Sequence, residues 1–143
     1  MDIYEEAVLY YISSSSKRFI NPQFNIAYDS KKDIGGSLPD FVVLDFEDRT
    51  VYIIEVTKAY AIKNLLSKVS ERGKRWILPI KETIDSSFSE WDYHVTLFLR
   101  EDRVKYVKNK LEKDVDVSAI SLKEINSFLG NGEFEGKNSL KNR

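Results

Sequence analysis

The stretch Leu38–Lys58, LPDFVVLDFEDRTVYIIEVTK, decides how this chain is read. Its two apolar runs, PDFVVLDF and VYIIEVTKA, are rich in β-branched and aromatic residues, which predicts two strands. EDRT (47–50) between them predicts a hairpin turn. With the turn centred on Asp48 and Arg49, Phe46 faces Val51 and Asp40 faces Thr57. Side chains alternate across a strand, so Asp40, Val42, Leu44 and Phe46 share one face with Val51, Ile53, Glu55 and Thr57. Asp40 and Glu55 are then diagonal neighbours at one end of an otherwise apolar hairpin, within reach of a common ligand.

Either acid alone reads as an ordinary strand-start or rim residue. The pair on one face of so apolar a hairpin points to a site. Like charges that close repel and raise one pKa, and a divalent cation removes the conflict. The chain has no cysteine, so oxygen ligands favour Mg²⁺ or Mn²⁺ over zinc. Mg²⁺ keeps water or substrate phosphate among its ligands, which suits phosphodiester hydrolysis.

Composition sets the outer bounds. The chain has 143 residues, 42 % hydrophobic and 31 % charged, as expected for one globular domain. We assign 1–130 to a single nuclease-like domain and 131–143 to a flexible tail. The absence of cysteine excludes disulfides, a zinc finger and a thiol nucleophile. No run is long and apolar enough to span a bilayer and no basic leader opens the chain, so the expected compartment is cytoplasmic, without membrane partners. A net charge of −1 argues against a protein that coats nucleic acid. It is compatible with a local basic surface beside an acidic metal site.

Around the hairpin, Asp2–Ser16 reads as a helix with Ile3, Ala7, Tyr10 and Tyr11 at helical spacing. Phe24–Asp29 alternates like a strand, and Gly35 and Gly36 break a loop. A helix is expected over Ala61–Trp76, with Ile62, Leu65, Leu66, Val69 and Trp76 as its apolar stripe. A strand (Tyr93–Arg100), an amphipathic helix (101–113), a strand (115–122) and a last helix follow, the last with Ser121 and Glu124 as a capping box. The order α-β-β-β-α-β-α-β-α predicts an α/β fold with a mixed central sheet flanked by helices. Asp45 is expected to be solvated near the turn. His94 and Trp76 are expected to pack.

"LPD", fourteen intervening residues, then "EVTK" resembles the motif of the PD-(D/E)xK nuclease superfamily. The resemblance implies a restriction-endonuclease-like αβββαβ core, here with a C-terminal strand and helix added, and a metal-dependent endonuclease. It implies that Asp40 and Glu55 are catalytic metal ligands, joined by the Val56 carbonyl and a carboxylate from the first helix. Glu5 and Glu6 are the candidates there, and Glu6, flanking the Ile3–Ala7–Tyr10 stripe, is the one expected nearer the sheet. The motif's lysine position is held by Thr57, and Lys58 should leave from the opposite face. An E-x-T motif with the lysine moved to the next helix is similar to the cap-snatching endonucleases of segmented negative-strand RNA viruses. The matching lysine here is Lys68. Those enzymes often carry a metal-binding His in their early helices, whereas the only histidine here, His94, lies in a late strand.

The expected function is therefore hydrolysis of phosphodiester bonds in DNA or RNA with Mg²⁺ or Mn²⁺. Lys68, Thr57 and Lys58 are the remaining catalytic candidates. Lys68, Arg72 and Arg75, at helical i, i+4 and i+7, are the candidate nucleic-acid contacts. The chain shows no separate recognition domain, so a homodimer or larger complex is expected to supply specificity. Two alternatives are a catalytically inactive nucleic-acid-binding or assembly module on the same fold, and a cap-snatching-type RNA endonuclease.

Overall fold

The computed structural model describes residues 1–125 and 139–141. One mixed sheet runs in sequence order through β1 (Arg18–Pro22), β2 (Phe41–Asp45), β3 (Thr50–Thr57), β4 (Asp92–Leu99) and β5 (Val117–Ser121). β1, β2 and β3 are antiparallel neighbours, and β3, β4 and β5 are parallel. Helices α1 (Ile3–Ser13), α2 (Lys63–Ser70), α3 (Leu78–Thr83) and α4 (Glu101–Lys110) flank it. The protein is thus α/β with a five-stranded mixed sheet between helices.

Coverage of both faces explains the near-continuous apolar runs of β3 and β4. Val51, Ile53, Val95 and Leu97 pack with Ile62, Val69 and Trp76 from the α2–α3 side. Phe41, Tyr52, Ile54 and Phe98 pack with Val8, Tyr11 and Ile12 of α1. The buried side of α1 is thus rotated from the expected stripe, because Ile3 and Tyr10 are exposed.

The first strand is not Phe24–Asp29. It is Arg18–Pro22, an edge strand whose terminal proline needs no ladder donor on its open side. The 24–37 segment forms only isolated bridges, Ile26 with Ser37 and Asp29 with Ile34. It is pinned from outside: the Gly35 N–H donates to the Lys74 carbonyl at 2.8 Å and the Trp76 indole N–H to Ser37 Oγ at 2.6 Å. Gly35 has φ +85°, and a Cβ there would lie 2.2 Å from the Ala27 oxygen, so this approach requires glycine.

Asp45 is not solvated. Its side chain and that of Arg18 are each 1 % exposed and are joined at 2.8 Å. The other Asp45 oxygen accepts from the Glu47 and Asp48 N–H groups. Arg18 also donates to the Ile12 carbonyl at the end of α1. This pair fastens the hairpin turn, the edge strand and the first helix together.

The helical run after β3 is broken. A π-helical turn, Gly73–Ile77, separates α2 from α3, and Pro79 opens α3. A proline there has no N–H for the preceding turn, a common cause of such a break. His94 and Trp76 are buried as expected. His94 Nε2 meets Ser118 Oγ at 2.7 Å, and burial pushes its pKa down to about 4, so it stays neutral.

Residues 122–125 begin a helix, and Ser121 Oγ accepts from the Lys123 N–H at 3.1 Å. The remainder of the expected last helix, and 131–138 and 142–143 of the expected tail, lie outside the described residues. Leu140 is buried in the core with α1, and the Tyr11 hydroxyl donates to the Ser139 carbonyl. The expectation of a free tail therefore does not extend to Ser139–Lys141. Among the described residues no helix is long and apolar enough to cross a membrane.

Candidate metal and phosphate site

The hairpin register differs from the expected one by two residues. Phe41 pairs with Ile54 and Leu44 with Val51. Continued one pair beyond the start of β2, this register sets Asp40 against Glu55 rather than against Thr57. A two-residue slip keeps every side chain on its face, so the two carboxylates still share one, now directly opposed. The cause is Asp45: its buried bonds end β2 there, leaving Phe46–Arg49 to turn.

Asp40 is held from two sides. Its carbonyl accepts from the Gln23 N–H at 2.8 Å, tying it to the end of β1. Its Oδ2 accepts from the Val56 N–H at 2.7 Å. The N–H and C=O of one strand residue leave toward the same edge, so the Val56 carbonyl is directed to this edge too.

The pair is electrostatically strained. Burial pushes the Asp40 carboxyl up to about 6, with Glu5 adding to the rise and the Val56 N–H opposing it. Burial and the neighbouring Asp40 charge push Glu55 up to about 8, with Lys68 opposing the rise. Without a cation, Glu55 keeps a proton near neutrality and bonds Asp40 through it. A divalent ion in the proton's place would satisfy both carboxylates.

Of the two acids on α1, Glu5 is the one beside the pair, and Glu6 is exposed to solvent. The rotated face of α1 explains this, since Glu5 lies one turn before buried Val8. Glu5 also closes a capping box: its carboxylate accepts from the Asp2 N–H at 2.9 Å, and Asp2 accepts from the Glu5 N–H at 2.8 Å. The spacing Asp2-x-x-Glu5 was a readable signal for that placement.

Lys68 opens onto the Glu55 side of the pair, in a cavity that Asp40 does not line. Glu55, Thr57, Asn64, Leu65 and Lys68 line one shallow cavity. Thr57 Oγ1 accepts from the Ala59 N–H at 3.1 Å. Lys58 leaves from the other face, with its ammonium 5.1 Å from the Tyr4 ring centre.

The expected basic flank does not hold together. Arg72 is bound to Asp116 through two nitrogens, at 2.7 and 2.8 Å, and to Asp114 at 2.9 Å. It braces the approach to β5 rather than facing solvent phosphate. Arg75 lies beyond the start of the π-turn, which changes the helical rotation. It pairs with Glu71 and lines a separate cavity with Gly35 and Gly36. Only Lys68 of the three lines the carboxylate cavity.

Among the described residues no group of three or more His, Asp or Glu side chains is arranged to hold a metal ion. The candidate oxygen donors are the Asp40 and Glu55 carboxylates and nearby backbone oxygen. Such a set fits Mg²⁺, which takes one or two carboxylates and completes its octahedron with water and phosphate. No protein-family model, curated protein or solved structure matches this chain.

Proposed function

We propose that this protein is a divalent-metal-dependent nuclease with a restriction-endonuclease-like core. The observation that carries the proposal is the direct opposition of two half-buried carboxylates, Asp40 and Glu55, on an otherwise apolar hairpin, with Lys68 across the cavity. Burying two like charges together is costly unless a cation compensates them. The antiparallel hairpin followed by helix and parallel strand supports the PD-(D/E)xK resemblance.

Asp40 and Glu55 would hold Mg²⁺ or Mn²⁺, with the Val56 carbonyl as a third oxygen. Bound there, the ion would polarise the scissile phosphate and acidify a water. Asp40 is fixed by the Gln23 and Val56 amides, so the ligands are set before substrate arrives. Lys68 would offset charge developing on the phosphate or orient the attacking water, from α2 rather than from the motif position that Thr57 occupies. Glu5 adds negative charge beside the pair and strengthens its demand for a cation.

The test is cleavage of single- and double-stranded DNA and RNA with Mn²⁺, beside Asp40→Asn and Glu55→Gln. Metal-dependent cutting by the wild type, lost in both variants, is the expected result. No cutting of any substrate by folded wild-type protein would favour a non-catalytic module, the reading that Thr57 in the lysine position otherwise supports.

A further inference from the structure

The parallel register sets Thr57 beside Leu99, so the residues after β3 and after β4 emerge at one edge. From the first comes Tyr60, next to Ala61 of the carboxylate cavity. From the second come Arg100 and then α4. The Arg103 guanidinium lies 4.1 Å from the Tyr60 ring centre and 5.0 Å from that of Tyr106. Arg100 lies 5.7 Å from Tyr60, and Lys110 lies 5.6 Å from Tyr106. Helical spacing alone brings Arg103, Tyr106 and Lys110 together. Tyr60 joins them from a different element.

The two tyrosines remain 57 % and 43 % exposed. We propose that Tyr60 and Tyr106, clamped by Arg103 and flanked by Arg100 and Lys110, form a stacking platform for unpaired nucleotides leading to the carboxylate cavity. The chemistry is specific to that ligand. Aromatic faces with interleaved cations take up bases and phosphates of a single strand, whereas a duplex has its base faces already stacked. The neighbouring acids have other partners: Asp102 pairs with Arg100 at 3.1 Å and Glu101 with Lys123 at 3.3 Å. Arg103 Nε donates to the Asp102 carbonyl at 3.3 Å and Lys110 Nζ to the Tyr106 hydroxyl at 3.4 Å, neither to a carboxylate, so both cations keep further N–H donors for phosphate.

The placement rests on the nucleic-acid reading of the neighbouring site, but the test does not need catalysis. Fluorescence anisotropy would follow short single-stranded RNA, single-stranded DNA and a blunt duplex binding to the whole chain in EDTA. Single strands should bind more tightly than duplex. Tyr60→Leu with Tyr106→Leu should weaken them about ten-fold or more. Tyr10→Leu, at an exposed tyrosine of α1, should change nothing. Wild-type affinity in the double variant, a preference for duplex, or no binding would overturn the platform. Single-strand binding with this pattern but no metal-dependent cleavage would sink the nuclease and keep the platform. Cleavage together with unaltered binding in the double variant would do the reverse.

Discussion

Asp40 and Glu55 face each other across the β2–β3 pair, and the Val56 amide holds Asp40 in place at 2.7 Å. Burial pushes both carboxyls upward; the Asp40 charge raises Glu55 further, while Glu5 adds to the rise of Asp40 and the hydrogen bond from Glu55 opposes it. That relationship links the sequence motif to its proposed chemistry, and the predictions below follow from it and from its surroundings.

Stability of the metal-free protein should fall as pH rises. Asp40 moves from 3.8 up to about 6, and Glu55 from 4.5 up to about 8. Raised folded-state values mean that the native state binds more protons than the unfolded chain. The resulting stabilisation is complete below the unfolded values and disappears as pH climbs through the folded ones. In EDTA the melting temperature should drop between about pH 4 and about pH 8, and Glu55→Gln should remove most of the drop. A wild-type profile no steeper than that of Glu55→Gln would contradict the coupling.

Lys68 is exposed and lies across the cavity from Glu55. Lys68→Ala should lower the metal-dependent cleavage rate by about 10²-fold, the usual loss for one donor that stabilises transition-state charge. Its melting temperature should stay close to wild type. Lys58→Ala, on the other face beside Tyr4, should retain most of the rate. The reverse ranking of the two variants would return the basic role to the strand.

Arg72 is a brace, and its loss should be read in stability. Arg72→Ala leaves Asp114 and Asp116, both about one-third exposed, without their shared partner. The cost should be about 1–3 kcal/mol, measured by urea denaturation, since hydrogen bonds to charged groups contribute that much and partial exposure limits it. Single-strand affinity of the folded variant should be unchanged. A large affinity loss without destabilisation would restore Arg72 to the substrate surface.

The two carboxylates were legible because period-two alternation survives a two-residue register error. Their direct opposition was not, because it depends on Asp45 being buried against Arg18, a long-range pairing that local sequence does not announce. β1 escaped for a related reason: an edge strand ending in proline needs neither alternation nor high β-propensity, while the better-patterned Phe24–Asp29 bridges only to the 34–37 loop, which Lys74 and Trp76 hold through Gly35 and Ser37. On α1 the choice of Glu6 followed from a stripe that included Ile3 and Tyr10, both exposed in the fold. The face through Val8, Tyr11 and Ile12 selects Glu5. The stripe of α2 was readable because its apolar residues all pack, and Lys68 followed from it; the π-turn then removed Arg75 from the same flank.

The most direct measurement is a calorimetric titration of the native chain with Mn²⁺ near neutral pH, repeated in buffers of different ionisation enthalpy, beside Asp40→Asn and Glu55→Gln. The account predicts saturable binding with proton release, because the ion displaces the proton that Glu55 holds, and loss of binding in both variants while they remain folded. Absence of saturable binding by folded wild-type protein, or binding that survives both substitutions, would contradict it.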